Sequence, residues 1–291
     1  MERTVETQKK RSMALEIWRR LRKNKMAMLG LVILVMLALT AIFADVIADY
    51  DTKVIAQDIK NRLQGPSMEH WCGTDEFGRD IFARLVHGSR VSLVVGLISV
   101  SISLLMGGAL GAIAGYYGGR GDNVIMRIMD IFLAVPSILL AMTIVAALGT
   151  SLINVMLAIG VSGIPGYARI VRASVMSIKD QEFVEASRAI GAKSPTTIFR
   201  EILPNCLAPI IVQATLSVAG AILSTASLSF IGLGVQPPSP EWGAMLSGGR
   251  NYLRDALHLT LFPGLAIVIT ILALNLLGDG LRDALDPRLK Q

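Results

Sequence analysis

Residues 179–205 read KDQEFVEASRAIGAKSPTTIFREILPN, and this polar segment interrupts a strongly apolar sequence with charges of both signs. Within it, Phe183, Ala186 and Ile190 recur at positions i, i+3 and i+7, a spacing that predicts a short amphipathic helix. Gly191 follows directly, and glycine is typical of the end of a helix. A polar segment of this kind between apolar stretches indicates a soluble partner that binds it.

The composition indicates a membrane protein. The chain has 291 residues, of which 53% are hydrophobic and 17% are charged, whereas soluble domains carry roughly 25% charged residues. A bilayer core about 30 Å thick requires roughly 20 apolar residues per helix. The runs without Asp, Glu, Lys or Arg that satisfy this length are residues 26–44, 91–119, 131–168, 206–240 and 256–278. The third run is long enough for two spans with a turn at Gly149-Thr150-Ser151, so the sequence predicts an all-α integral membrane protein with six transmembrane helices.

The distribution of basic residues predicts the orientation of the chain. If the N-terminus is cytoplasmic, 20 of the 28 Lys and Arg residues fall in the cytoplasmic segments. Membrane proteins show this asymmetry because cytoplasmic loops carry an excess of Lys and Arg. Both termini are therefore expected in the cytoplasm. The net charge of +6 reflects this asymmetry and does not indicate a nucleic-acid partner.

These criteria divide the chain into five regions. They are a cytoplasmic N-terminal tail (1–25), a first transmembrane helix (26–48), an extracytoplasmic loop (49–88), a transmembrane core of five helices that contains the polar segment (89–280), and a cytoplasmic tail (281–291). In the first tail, Arg11–Lys25 has apolar residues at helical spacing and an opposite basic face. This pattern predicts a helix that lies on the cytoplasmic leaflet. A charged flank of the first span without a helix is the alternative.

The extracytoplasmic loop carries a group of acidic residues with two possible roles. The residues are His70, Asp75, Glu76 and Asp80. A metal site is one interpretation. Gly73 and Gly78 flank Asp75 and Glu76, and glycines in such positions favour a structural turn. Arg79 is available to neutralise a carboxylate. We therefore expect a turn beside the second span and no metal site.

Small residues in the spans predict close helix packing. Gly107, Gly111 and Gly115 fall every four residues in the second span, so they share one helix face, where small residues let two helices approach closely. The fourth span contains Pro165 among several glycines, which predicts a break that is either a hinge or a static kink. The fifth span is rich in small hydroxyl residues, which indicates either helix contact or a watery path.

Catalytic motifs are absent from the sequence. There is no phosphate-binding Gly-Lys-Ser/Thr loop, no His-Glu-x-x-His and no Gly-x-Ser-x-Gly, so we predict no catalytic residue. The middle of each span lacks acidic and basic residues, which argues against a proton- or ion-coupled transporter.

Cys72 and Cys206 are predicted on opposite faces of the membrane and should not form a disulfide bond with each other.

Four motifs resemble one family. Glu185-Ala186-Ser187, Gly191 and Ile202-Leu203-Pro204 together are similar to the EAA loop of ABC importer permeases, with Ser187 in place of the usual Ala. The stretches Gly73–Leu93, Gln236–Leu246 and Asn275–Leu289 look like those of the C-type permease subunit of dipeptide, oligopeptide and nickel importers. The resemblance covers roughly residues 13–291, and the motifs occur in order.

The resemblance implies a type I ABC importer permease fold with a cytoplasmic coupling helix. The residues that it assigns to coupling are Glu182, Phe183, Glu185, Ala186, Ser187, Arg188, Ile190, Gly191, Ala192, Leu203 and Pro204. The expected partners are a homologous B-type permease, two ATPase subunits that bind ATP and Mg²⁺, an extracytoplasmic solute-binding protein and the lipid of a bacterial inner membrane. This chain itself would bind no cofactor.

The implied substrate is a dipeptide or oligopeptide. Glutathione, a nickel chelate or another small peptide-like solute fits the same motifs. A passive channel and a membrane-embedded enzyme are the alternatives from other classes; the channel would need no coupling helix, and the enzyme would need convergent polar side chains within the spans.

Overall fold

Helices form nearly all of the regular structure in residues 13–285, the part of the chain that the computed structural model describes. The helices of eight or more residues in this range are α1 (Met13–Lys23), α2 (Lys25–Ile42), α3 (Ile81–Tyr117), α4 (Gly119–Ala134), α5 (Ser137–Leu148), α6 (Leu152–Ile178), α7 (Glu182–Ala189), α8 (Leu207–Phe230), α9 (Trp242–Gly249) and α10 (His258–Leu285). Shorter helical turns are Ala44–Ile47, Tyr50–Ile55, Ile59–Asn61, Ser194–Thr196, Thr197–Ile202, Leu203–Asn205 and Arg250–Tyr252. Residues 1–12 and 286–291 of the two predicted tails lie outside the described residues.

The structure confirms an all-α membrane protein. Five helices, α2, α3, α6, α8 and α10, are long and apolar enough to cross a membrane. The pair α4 and α5 supplies a sixth span if the two count as one, and this pair is bent by 86° at Val135-Pro136. The predicted hairpin turn at Gly149-Thr150-Ser151 lies between α5 and α6. The third span of the prediction is therefore a bent helix pair that begins at Gly119, well before residue 131.

The second span is also longer than predicted. Helix α3 begins at Ile81, before the apolar run that starts at residue 91, so the predicted boundary between loop and core at residues 88–89 falls inside the helix. The charge-free run starts only after Arg90, and Arg84 lies before it in the same helix. Each of them donates to a backbone carbonyl oxygen, at 3.0 Å and 2.9 Å respectively. The helix therefore continues through these two arginines because their charges are paired with carbonyl oxygens. A count of apolar residues places its start too late.

Helix α6 runs through Pro165 and extends to Ile178, so the helix is not interrupted at the position of the predicted hinge or kink. Gly160 and Gly163, which precede Pro165 in the same helix, allow α3 to approach closely. A Cβ atom at Gly160 would lie 2.9 Å from Cβ of Ile102, and one at Gly163 would lie 3.0 Å from Cβ of Ser103. Close helix approach accounts for these glycines without a hinge.

The contact between α3 and α6 is the most extensive helix contact in the described residues. A Cβ atom at Gly107 or Gly111 would overlap the carbonyl oxygen of Ile164 or Ala168, and one at Gly115 would lie 2.9 Å from the carbonyl oxygen of Arg172. The hydroxyls of two α3 serines add hydrogen bonds across this contact to carbonyl oxygens of α6, at 3.1 Å and 2.6 Å. The glycine ridge therefore lies at the point where the two backbones approach.

The N-terminal helix packs against the end of the last span. Leu21 of α1 is buried in a cluster with Ala27 of α2 and Ala284 of α10. Leu15 and Trp18 remain about half exposed, at 48% and 46%. The predicted amphipathic helix therefore forms over Met13–Lys23, and its outward apolar side chains fit the predicted membrane contact.

The acidic loop forms a structural turn. One oxygen of Asp75 accepts the backbone N–H groups of Phe77 and Arg79 at 2.9 Å and 3.0 Å, and the other accepts Nε of Arg79 at 2.7 Å. His70 Nδ1 lies 2.7 Å from Asp80 Oδ2. Burial raises the pKa of the nearby Cys72 thiol, which is free, as is Cys206. Both carboxylate oxygens of Asp75 therefore already accept hydrogen bonds from neighbouring residues.

We predict that Gly111→Ala destabilises the bundle, whereas Gly121→Ala does not. A methyl group at Gly111 overlaps the carbonyl oxygen of Ala168, but the space around Gly121 is open, although both residues lie in helices. Overpacking a close contact costs about 1–3 kcal/mol. Thermal unfolding of both purified variants in detergent measures this difference. Equal midpoints would contradict the packing role of the ridge.

Candidate functional site

The polar segment forms a short helix on the surface of the bundle. Helix α7 begins at Glu182, a few residues after α6 ends at Ile178. Its Val184 side chain is fully buried. The cluster that encloses it contains residues of α3, α6, the returning chain and α8, namely Ala112, Val171, Val175, Ile198, Ile202, Cys206 and Ile210. Burial of a valine side chain from water contributes about 1.5–3 kcal/mol, so Val184 fixes α7 to the bundle.

The opposite side of α7 is exposed. Phe183 and Ile190 are 38% and 86% exposed, and Phe199 on the returning chain is 69% exposed. Glu182, Glu185 and Ala186 are exposed as well. The apolar stripe that predicted the helix therefore faces outward, and the residue that packs inward is Val184, which the periodicity did not single out. Acidic and apolar groups together on this surface suit a protein partner.

Among the described residues, Glu182, Glu185 and Arg188 form no ion pair within α7. Arg188 instead places its guanidinium over the ring of Tyr116 at the end of α3, with Cζ 4.9 Å from the ring centroid. Glu182 and Glu185 make no salt bridge among the described residues. Their carboxylates therefore remain available to a partner. The contact of Arg188 with Tyr116 adds a second link between α7 and α3.

Gly191 ends α7 in a geometry that favours glycine. Its φ of +85° lies in the left-handed region. The N–H of Gly191 donates to the carbonyl oxygen of Arg188 at 2.9 Å, and the N–H of Ala192 donates to that of Ser187 at 3.1 Å. This pair of bonds is the Schellman motif, which satisfies the last carbonyl groups of a helix. The glycine stop that the sequence predicts is therefore present in the structure.

The chain then returns to the bundle and starts α8. Ile202 is fully buried, and Leu203 packs against the cluster around Val184. Pro204 lies in the first turn of the helical turn Leu203–Asn205, where a proline is tolerated because its missing N–H has no partner there. The Ile-Leu-Pro sequence thus anchors the returning chain and directs it into the next span.

Two ion pairs join α4 to α6 near the polar segment. Arg172 donates to both oxygens of Asp122, at 2.5 Å and 2.6 Å. Arg169 likewise contacts Asp130 at 2.5 Å. The bidentate pair adds geometric specificity and holds the bent helix pair against α6.

A cavity of about 340 Å³ opens between α3, α5, α6 and α8. Ser217 and Ser224 of α8 line it, whereas Thr225 and Ser229 are buried against the protein. The small hydroxyl residues of the fifth span therefore serve both helix contact and a polar cavity wall.

The apolar spans and the short surface helix define a multi-span membrane protein, and comparison with known proteins places it among transport permeases. The family model described as "Binding-protein-dependent transport system inner membrane component" matches residues 107–291. The model of the "N-terminal TM domain of oligopeptide transport permease C" matches residues 12–66. The chain therefore belongs to the ABC importer permeases, as a C-type subunit of the dipeptide/oligopeptide family. Members of this family are transport subunits and not enzymes, and the ATPase is a separate subunit.

Curated relatives match over nearly the whole chain. The dipeptide transport system permease protein DppC of Alkalihalophilus pseudofirmus is 52% identical over 275 residues, which cover 94% of this chain and 90% of the relative. The di/tripeptide transport system permease protein DppC of Pseudomonas aeruginosa is 48% identical, with 94% and 92% covered. The glutathione transport system permease protein GsiD of Escherichia coli is 47% identical, with 94% and 90% covered.

A solved structure supports the fold. A chain of the inward-facing MetNI methionine ABC transporter superimposes with a TM-score of 0.58 at 20% identity, and the match covers 70% of this chain and 96% of that chain. At this identity the likeness shows the fold alone. It agrees with the type I ABC importer permease fold that the motifs imply.

We predict that Gly191→Val disrupts the end of α7, whereas Gly191→Asn preserves it. Valine is strained at a φ of +85°, at a cost of about 1–2 kcal/mol, whereas asparagine is tolerated in the left-handed region. The rate of trypsin cleavage after Arg188 in the purified protein reports fraying of the helix. We expect faster cleavage of the valine variant only. Equal rates for both variants and the parent would contradict the role of Gly191 as a helix stop.

Proposed function

We propose that this chain is the permease subunit of an ATP-driven importer of dipeptides and oligopeptides, and that α7 couples it to cytoplasmic ATPases. The observation that carries the proposal is the position of α7, which is held by the buried Val184 and exposes an acidic and apolar surface. The residues that we assign to coupling are Glu182, Phe183, Glu185, Ala186, Ser187, Arg188, Ile190, Gly191, Ala192, Leu203 and Pro204. ATP and Mg²⁺ would be bound by the ATPase subunits.

The packing around α7 supports transmission of motion into the membrane. Val184 lies in a buried cluster that also contains residues of α3 and α6. Helices α3 and α6 meet through the glycine ridge, and α6 is joined to α4 by the ion pairs of Arg169 and Arg172. Packed cores and interfaces respond to a displacement by moving as units, since they are not continuously deformable. A displacement of α7 by an ATPase would therefore move α3, α4 and α6 together.

The relatives support a peptide as the substrate. The names of three of them specify dipeptides, di/tripeptides and glutathione. All three solutes carry peptide bonds, so a small peptide is the common chemistry. Glutathione, a nickel chelate or another peptide-like solute is the alternative within the same architecture.

The complete importer would contain several other chains. A homologous B-type permease would supply the other half of the translocation path, and two ATPases would bind beneath the pair. A solute-binding protein would dock on the outer loops, which include residues 49–80. The protein would lie in a bacterial inner membrane with both termini in the cytoplasm, because 20 of its 28 basic residues then face inward.

We predict that Glu185→Lys uncouples ATP hydrolysis from uptake. Glu185 is exposed on α7, and a charge placed against a like charge in an interface costs several kcal/mol. The amount of dipeptide taken up per ATP hydrolysed, measured in proteoliposomes of the complete importer, should fall at least about tenfold.

Asp279→Lys is the matched control for this experiment. It makes the same charge change at an exposed residue of α10, outside the residues assigned to coupling and outside the outer loops. Both variants should insert into the membrane at the level of the parent. Unchanged uptake per ATP in Glu185→Lys would count against the coupling role of α7.

A further inference from the structure

The cavity between α3, α5, α6 and α8 has a polar wall without charge. Its lining contains serine hydroxyls, a tyrosine and a glutamine, and none of the lining residues is Asp, Glu, Lys, Arg or His. Its volume of about 340 Å³ falls in the range of small-molecule sites, which is about 300–1,000 Å³. Some of the lining side chains already form hydrogen bonds within the protein, whereas others have donors or acceptors that remain free.

All three serines that line the cavity from α3 and α6 already donate hydrogen bonds within the protein. Ser99 donates its hydroxyl to the carbonyl oxygen of Met156, and Ser103 donates to that of Gly160. Ser162 likewise donates to a carbonyl oxygen within α6. These hydroxyls satisfy the backbone and have no further donor to offer.

Tyr167 is different. Its side chain lines the cavity and is only 3% exposed, yet its hydroxyl makes no hydrogen bond of normal geometry among the described residues, and the hydroxyl near it is that of Ser217. The Cβ atom of Tyr167 packs against α3, because a Cβ atom at Gly107 would lie 2.8 Å from it. A buried polar group without a partner is unfavourable. The hydroxyl is therefore positioned for a partner that enters the cavity.

Gln213 and Ser217 provide complementary groups one turn apart on α8. Nε2 of Gln213 donates to Oγ of Ser217 at 3.1 Å. This bond leaves the amide oxygen and a second N–H of Gln213, and it leaves the O–H of Ser217 as a donor. Both residues line the same cavity as Tyr167. Together the three side chains offer neutral donors and acceptors.

We propose that Tyr167, Gln213 and Ser217 form a hydrogen-bonding site for the backbone of a peptide that passes through this cavity. The inference rests on the proposed function. A peptide bond carries one donor and one acceptor, which match the amide and hydroxyl groups of the site. A neutral site recognises the backbone of any peptide and binds it weakly enough to release it, as conduction through a membrane path requires.

The first test uses the complete importer with its solute-binding protein in proteoliposomes and radiolabelled dialanine as the probe. Tyr167→Phe combined with Ser217→Ala removes two hydroxyls and keeps the packing of the ring. Loss of two hydrogen bonds should lower ATP-dependent uptake about tenfold. ATP hydrolysis stimulated by the loaded binding protein should stay within about twofold of the parent, since coupling through α7 is untouched.

Thr215→Val is the matched control. Thr215 lies on α8 between the two polar residues, but it does not line the cavity, and its methyl group faces α10 near Gly278. Its uptake should equal that of the parent. Uptake by the double variant equal to that of the control would overturn the proposed site. Absence of ATP-dependent dialanine uptake in the parent would instead overturn the proposed function.

A second measurement detects the peptide at the site directly. Ser217→Cys and Thr215→Cys are introduced separately into an importer that lacks Cys72 and Cys206, and both are treated with a small cationic methanethiosulfonate. During turnover, excess dialanine should slow the labelling of the cysteine at 217 at least about threefold and leave that at 215 unchanged. Labelling at 217 that is equally fast with and without dialanine would contradict the inference.

Discussion

The contact between α3 and α6 sets the geometry on which the rest of the bundle depends. Lipid tails are as apolar as the side chains that they meet, so helices in a bilayer associate mainly through close packing and hydrogen bonds. Gly107, Gly111 and Gly115 provide that closeness, and hydroxyls of α3 bond to carbonyl oxygens of α6 across it. Helix α6 then leads directly into the polar segment. The same contact therefore determines the position of both the surface helix α7 and the cavity wall at Tyr167.

This arrangement explains how a protein without catalytic chemistry takes part in active transport. The family shows that the ATPase is a separate subunit. Energy must therefore enter through a protein contact, and α7 is the element that extends from the bundle and stays attached to it through Val184. In our proposal, a force on α7 reaches α3 and α6 together because both helices belong to the buried cluster around that valine.

Local sequence signals predicted much of this structure. The apolar runs located the spans, and the glycine at 191 marked the end of α7, because each of these features depends on nearby residues alone. The predictions failed where the local structure depends on contacts with residues far away in the sequence. Arg84 and Arg90 continue α3 because carbonyl oxygens far along the chain accept their hydrogen bonds. Val184 lies in a buried cluster with residues from four other parts of the chain, and Asp130 pairs with Arg169 of another helix, so neither arrangement follows from helical spacing.

The central claim is that α7 is the surface to which an ATPase binds. Hydrogen exchange of the α7 amides in the purified permease pair, with and without the ATPase subunits, tests it most directly. Our account predicts that exchange across Glu182–Ala189 slows at least about tenfold when the ATPases are present, because their binding stabilises a short, exposed helix against local opening. Exchange at the same rate in both samples, with ATPases shown to be bound elsewhere, would contradict it.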